Sequence, residues 1–235
     1  MKRIYRVILT TGLFICGMHS MAHATSLIIS GVIDGPLAGG TPKAVEFYVL
    51  NDIADLSVYG FGSANNGGGS DGEEFLFTAV SAVAGDFLYV ASEGSEFQNF
   101  FGFLPDYISS TSNVNGDDAI ELFRNGMAVD VFGDINVDGT GQPWDYLDGW
   151  AYRDSGTGGL DTTQFVLSEW YFSGPNGLDG ETVNSAAANP FPIGSYSADP
   201  LAPVPTPEPV SMLLFGTGLV GLAGSRIPRK KKTSL

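Results

Sequence analysis

Asp134, Asn136 and Asp138 stand at alternate positions in the run DINVDG, which closes on Gly139. Oxygen-bearing side chains at this spacing can converge on one hard cation, and a glycine at the sixth place lets the chain turn sharply. The run matches the opening of a calcium loop. Counting onward, Thr140 would offer its carbonyl, Gln142 would take the ninth place and Asp145 the twelfth. Three features depart from that motif. An Asp replaces the longer Glu at the last place, Gly141 takes the usual apolar position, and β-rich sequence rather than a helix precedes the loop. The alternative is a polar turn, because Asp and Asn bond their own backbone in turns. Ca2+ is the cofactor to which these residues point.

Trp144, Tyr146, Trp150 and Tyr152 follow, alternating with acidic and small residues. Exposed as a row they would make a platform for sugar rings, with Asp145, Asp148 and Asp154 bonding hydroxyls. Buried, they would be the inward face of a strand, which needs a period of two. Large aromatics lie inside more often than outside, which favours core. Trp170, Tyr171 and Phe172 come next, and Arg153 reads as the partner of a neighbouring carboxylate.

A hairpin must position these groups. The β-rich runs 119–124 and 127–132 flank Asn125-Gly126, the dipeptide that most readily takes the two positive φ values of a type I′ turn. Regular pairing would set Arg124 against Met127, Leu122 against Val129 and Ile120 against Val131, so that these four apolar residues share one face. Glu121 would then oppose Asp130 on the other face, a like-charge pair suited to a solvated surface.

Upstream, residues 27–33, 44–50, 74–78 and 87–91 are short runs rich in β-branched and aromatic residues, separated by Gly, Pro, Asn and Asp. The stretch SANNGGGSDG (63–72) reads as an exposed loop, and 95–102 as one short helical turn. Several short strands with no helices between them predict an all-β fold, a β-sandwich.

The two ends speak of export. Lys2, Arg3 and Arg6 precede an apolar run over 7–17, and Ala22-His23-Ala24 offers a small-x-small cleavage site, the pattern of a secretory signal peptide over 1–24. Bulky Ile15 before Cys16 argues against a lipoprotein. Cleavage after Ala24 would remove Cys16, His19 and His23, the only cysteine and histidines of the 235 residues. A mature domain over 25–198 would then have no disulfide, no thiol nucleophile, no histidine base and no His- or Cys-based zinc site.

All 26 acidic residues lie within 25–208, against three basic ones, Lys43, Arg124 and Arg153, a net charge of −23 over that stretch. Such a surface repels nucleic acid and anionic lipid, so no nucleic-acid partner is expected. An enzyme working through two carboxylates remains open, because glycoside hydrolysis needs no other side chains. A nuclease would have to draw a polyanion onto this charge.

At the other end a proline-rich linker, 199–209, closes on Pro207-Glu208-Pro209. An apolar run over 210–224 follows, then Arg226, Arg229, Lys230, Lys231 and Lys232 before the end at 235. This order resembles the PEP-CTERM sorting signal of exopolysaccharide-producing Gram-negative bacteria. The resemblance implies an exosortase partner that recognises Pro207, Glu208 and Pro209, removes the tail and passes the protein to the cell surface or matrix. The apolar run is shorter than the roughly 20 residues of a stable span. It suits a transient hydrophobic helix in the inner membrane, with its basic end cytoplasmic.

Residues 27–30, 45–51 and 55–57, with the later runs Gly85 to Ala91, Gly116 to Leu122 and Val129-Asp130, are similar to the strands of lamin-tail domains. That resemblance implies an immunoglobulin-like β-sandwich used as an interaction module, and it brings no catalytic residue. The expectation is a non-enzymatic surface or matrix protein. A carbohydrate-binding module for exopolysaccharide is the alternative, and a carboxylate-based or metal-dependent hydrolase the second.

Overall fold

The computed structural model describes residues 25–160 and 163–198. The chain divides into two units, Met1–Ala198 and Asp199–Leu235, and every described residue lies in the first. The expected signal peptide, linker and hydrophobic tail lie outside the described residues.

Six strands form one sheet: β1 (Leu27–Leu37), β2 (Thr41–Val49), β5 (Phe87–Ala91), β6 (Tyr107–Ile108), β9 (Gly149–Arg153) and β10 (Trp170–Phe172). Their order is β10-β9-β1-β2-β5-β6. The second sheet holds β3 (Tyr59–Ala64), β4 (Phe75–Leu76), β7 (Ala119–Arg124) and β8 (Met127–Phe132), in the order β4-β3-β7-β8. Neighbours are antiparallel except β5 and β6. One α-helix, α1 (Gly94–Phe101), extends the helical turn read from the sequence. No helix among the described residues is long and apolar enough to cross a membrane.

Two cores explain the strand compositions. Between the sheets, Leu27, Ile29, Val32, Val45 and Phe47 meet Phe61, Ile120, Leu122 and Phe132. On the far side of the six-stranded sheet, Ile28, Ile33, Ala44 and Ala91 are covered by Phe97 and Phe100 of α1 and by Leu178, Phe191 and Tyr196 of the closing segment. A strand covered on both faces carries a continuous apolar run in place of alternation, which is why LIISGVI is buried throughout. Gly31 is the exception in that run because a Cβ there would come within 2.6 Å of the Phe191 ring.

The β7–β8 hairpin turns at Asn125 and Gly126, with φ of 51° and 74° as a type I′ turn needs. Its register differs from the regular one. Arg124 faces Met127, but Leu122 faces Asp130, Glu121 faces Val131 and Ile120 faces Phe132, because Val129 is an extra residue between Phe123–Ala128 and Leu122–Asp130. A bulge of this kind moves every later side chain to the opposite face. Val131 therefore leaves the expected apolar face, Asp130 enters the interior, and Glu121 is not set against Asp130.

The glycine-rich stretch is the exposed loop expected of it from Asn65 onward, and departs from it only at its start. Ser63 and Ala64 end β3, and the residues beyond are docked on the Asp-rich loop. The Gly69 N–H donates to the Ile135 carbonyl at 2.8 Å, and a Cβ on Gly67 would lie 2.4 Å from the Asp138 nitrogen.

Candidate functional site

The Asp-rich loop is built from its own turns. Asp134 Oδ1 accepts the Asn136 N–H at 3.0 Å and Asp138 Oδ1 accepts the Thr140 N–H at 2.9 Å. Thr140 turns its hydroxyl to Asp117 Oδ2 at 3.0 Å. Gln142 is exposed, while Asp145 is buried and accepts the N–H groups of Gly141 and Leu147 at 2.7 and 3.0 Å. Hydrogen bonding from Thr140 holds the Asp138 carboxyl below its usual range. The acidic side chains thus face backbone donors of their own loop. Among the described residues no group of three or more His, Cys, Asp or Glu side chains is placed to hold a metal ion. A cavity of about 310 Å³ opens beside this loop, lined by Asp134, Ile135, Asn136 and Phe165 among others.

The aromatic row is core, as its residue types favour, and the alternative of an exposed platform is the one overturned. Trp144, Tyr146, Trp150 and Tyr152 are 5%, 0%, 4% and 4% exposed, and they belong to two different cores. Trp144 and Tyr146 meet Phe132 between the sheets, with ring centroids 6.1 and 5.4 Å away. Trp150 and Tyr152 meet Phe191 on the outer face at 6.2 and 5.3 Å. A turn separates the pairs, marked by Asp148 at φ 45°, so the period of two does not run through. The platform for sugar rings has no exposed rings to stand on.

The buried charges were not legible as a group. In one node Lys43 Nζ bonds Asp34 Oδ1 at 2.5 Å, the Val114 carbonyl at 2.6 Å and Asn115 Oδ1 at 3.2 Å. Asp34 Oδ2 accepts the N–H of Gly116 at 3.0 Å, and Asp118 accepts those of Asn66 and Asn115 at 2.9 and 2.8 Å. Burial raises the carboxyls of both Asp34 and Asp118 against these bonds. In a second node Arg153 has the carboxylate partner expected of it. That partner is Asp130, met across the sandwich through both oxygens at 2.8 and 2.7 Å, with Glu169 at 3.5 Å. Burial pushes the Asp130 carboxyl up, and the Arg153 charge opposes it most.

A third node lies on the outer face. Glu46 is 2% exposed. Its Oε1 accepts from Ser30 Oγ at 2.7 Å and Tyr152 Oη at 2.8 Å, and its Oε2 accepts the Gly194 N–H at 2.7 Å. Chemically, all three nodes tie loops and strands together, and they keep Asp34, Asp118, Asp130 and Glu46 away from solvent.

A family model matches residues 205–230, and its description is the PEP-CTERM protein-sorting motif. The chain carries an exosortase sorting signal. Pro207, Glu208 and Pro209 fall within that match, outside the described residues. The motif indicates an exported protein, processed by an exosortase and carrying a membrane-anchored sorting signal. No curated protein and no solved structure matches this chain.

Proposed function

We propose that this is a non-enzymatic, cell-surface or matrix-associated interaction protein, delivered by exosortase sorting, with its β-sandwich as the exported module. The sorting motif over 205–230 carries the reading. The two-sheet fold supports a lamin-tail-like, immunoglobulin-like module. So does the use of the buried carboxylates, since Asp34, Glu46 and Asp130 are all spent on backbone and side-chain partners within the fold.

The test is to express the tagged full-length protein with and without an exosortase and follow its size and location. With the enzyme, the tail is removed and the protein reaches the surface or medium. Without it, or with Pro207→Ala, Glu208→Ala and Pro209→Ala combined, the uncut chain stays with the membrane. Identical size and distribution in all cases would overturn the sorting reading. Reproducible turnover of any substrate in a hydrolase panel would overturn the non-enzymatic one.

A further inference from the structure

The last described residues of the domain lie as a strap over the outer face of the six-stranded sheet. Phe191 and Tyr196 pack there with Trp150, Tyr152 and Ile28, and the polar contacts converge on two side chains. Gly194 donates to Glu46 Oε2 at 2.7 Å. Ser195 and Tyr196 donate their N–H groups to the Tyr152 oxygen at 2.9 and 2.8 Å. With two donors already on it, the Tyr152 hydroxyl must give its own proton to Glu46. Three consecutive strap amides are therefore held through one carboxyl group.

That carboxyl is buried, and among the described residues it has no ion-pair partner. A buried charge without a partner is costly, whereas the neutral acid is not. The neutral acid is also fully bonded here. Ser30 Oγ lies 2.7 Å from Glu46 Oε1 and 3.2 Å from the Glu46 carbonyl. It can accept a proton from Oε1 and turn its own towards the carbonyl, leaving the bonds from Tyr152 and Gly194 in place.

We propose that the strap over 191–198 is a pH-gated latch, docked while Glu46 is protonated and loosened when Glu46 ionises. Burial pushes the Glu46 carboxyl up to about 7, opposed by the bonds from Gly194, Ser30 and Tyr152. The groups that face it do not titrate in that range. Tyr152 of β9 and Tyr89 of β5 are raised above their ordinary value by burial and by Glu46 itself, β1 contributes Ser30, and the strap contributes the Gly194 N–H; Tyr196 of the strap is pushed up to about 12. A raised acid favours the docked state below the ordinary value of 4.5, and that advantage is lost as pH rises through about 7. Loosening would uncover Trp150 and Tyr152 on the outer face.

Amide exchange of the full-length protein, corrected for the intrinsic effect of pH, tests this. Protection of Gly194, Ser195 and Tyr196 should fall on the order of tens-fold between pH 5 and pH 8. Protection at the strap should lie below that at Leu122 in β7 throughout, because the strap opens before the rest of the fold, and Glu46→Gln should abolish the change at the strap. No fall at the strap, a strap as protected as Leu122 at pH 8, or the same fall in Glu46→Gln would each overturn the latch. Should Glu46→Gln fail to fold, NMR titration of the Glu46 carboxyl carbon in the native protein decides. A midpoint near 7 supports the latch, and one near 4.5 overturns it.

Discussion

Arg153 in β9 and Asp130 in β8 hold each other across the sandwich, and both serve Ile29 between them. Asp130 Oδ2 accepts the Ile29 N–H at 2.9 Å and Arg153 Nε donates to the Ile29 carbonyl at 2.7 Å. The pairing of β9 with β1 begins only at Gly31, so the ion pair supplies what a strand partner would otherwise supply. Trp170 closes the site, its ring centroid 4.5 Å from the guanidinium carbon. Arg153→Met leaves an uncompensated buried carboxylate and should cost about 3–5 kcal/mol in denaturant unfolding. The double variant with Asp130→Leu should recover part of that loss, since Ile29 still lacks its two bonds. A double variant no more stable than Arg153→Met would refute this account.

Tyr152→Phe keeps the ring against Phe191 but removes the acceptor of two strap amides. We expect a loss of about 1–3 kcal/mol, with amide protection lost first at Ser195 and Tyr196. A variant as protected as the parent at those two amides would show that the hydroxyl holds nothing.

Trp144→Ala separates a core residue from a surface one. With Trp144 buried against Phe132 and Phe165, truncation should cost about 3–5 kcal/mol. A change within about 0.5 kcal/mol, the range of surface substitutions, would return this ring to the surface.

Asp145 caps two N–H groups of the loop that resembles a calcium site. Asp145→Ala should lower stability by about 1–2 kcal/mol through lost caps, equally in calcium and in chelator. A thermal midpoint that rises with calcium in the parent and not in Asp145→Ala would show that the loop holds the metal.

Stability should fall as pH is raised from 5 to 8, because Glu46, whose usual value is 4.5, titrates near 7 in the folded protein. The folded state holds its proton where the unfolded state has lost it, and the full contribution is about 3 kcal/mol. Chemical denaturation across this range should show the decline, and Glu46→Gln should flatten it.

The sequence by itself determined what depends on neighbours along the chain. Strands β7 and β8 and their Asn125-Gly126 turn are legible because propensity and turn chemistry act over a few residues. The sorting motif is legible because a processing enzyme reads it as a linear segment. Cys16, His19 and His23, the only cysteine and histidines, all fall within the leader expected over 1–24. Strand β3 was not legible, since Gly60 and Gly62 erase its signal. Those glycines are required by backbone that crosses them, with Cβ positions 2.3 Å from the Phe75 carbonyl and 2.0 Å from that of Gly72. Only the tertiary structure decided the fate of the polar and aromatic side chains. The bulge at Val129 turned Asp130 inward to Arg153, the turn at Asp148 split four aromatics between two cores, and the closing strap buried Glu46. A two-residue alternation is a local pattern, but which face is covered, and by what, is set by segments that meet from more than 100 residues apart, as Glu46 and Tyr152 do at a separation of 106.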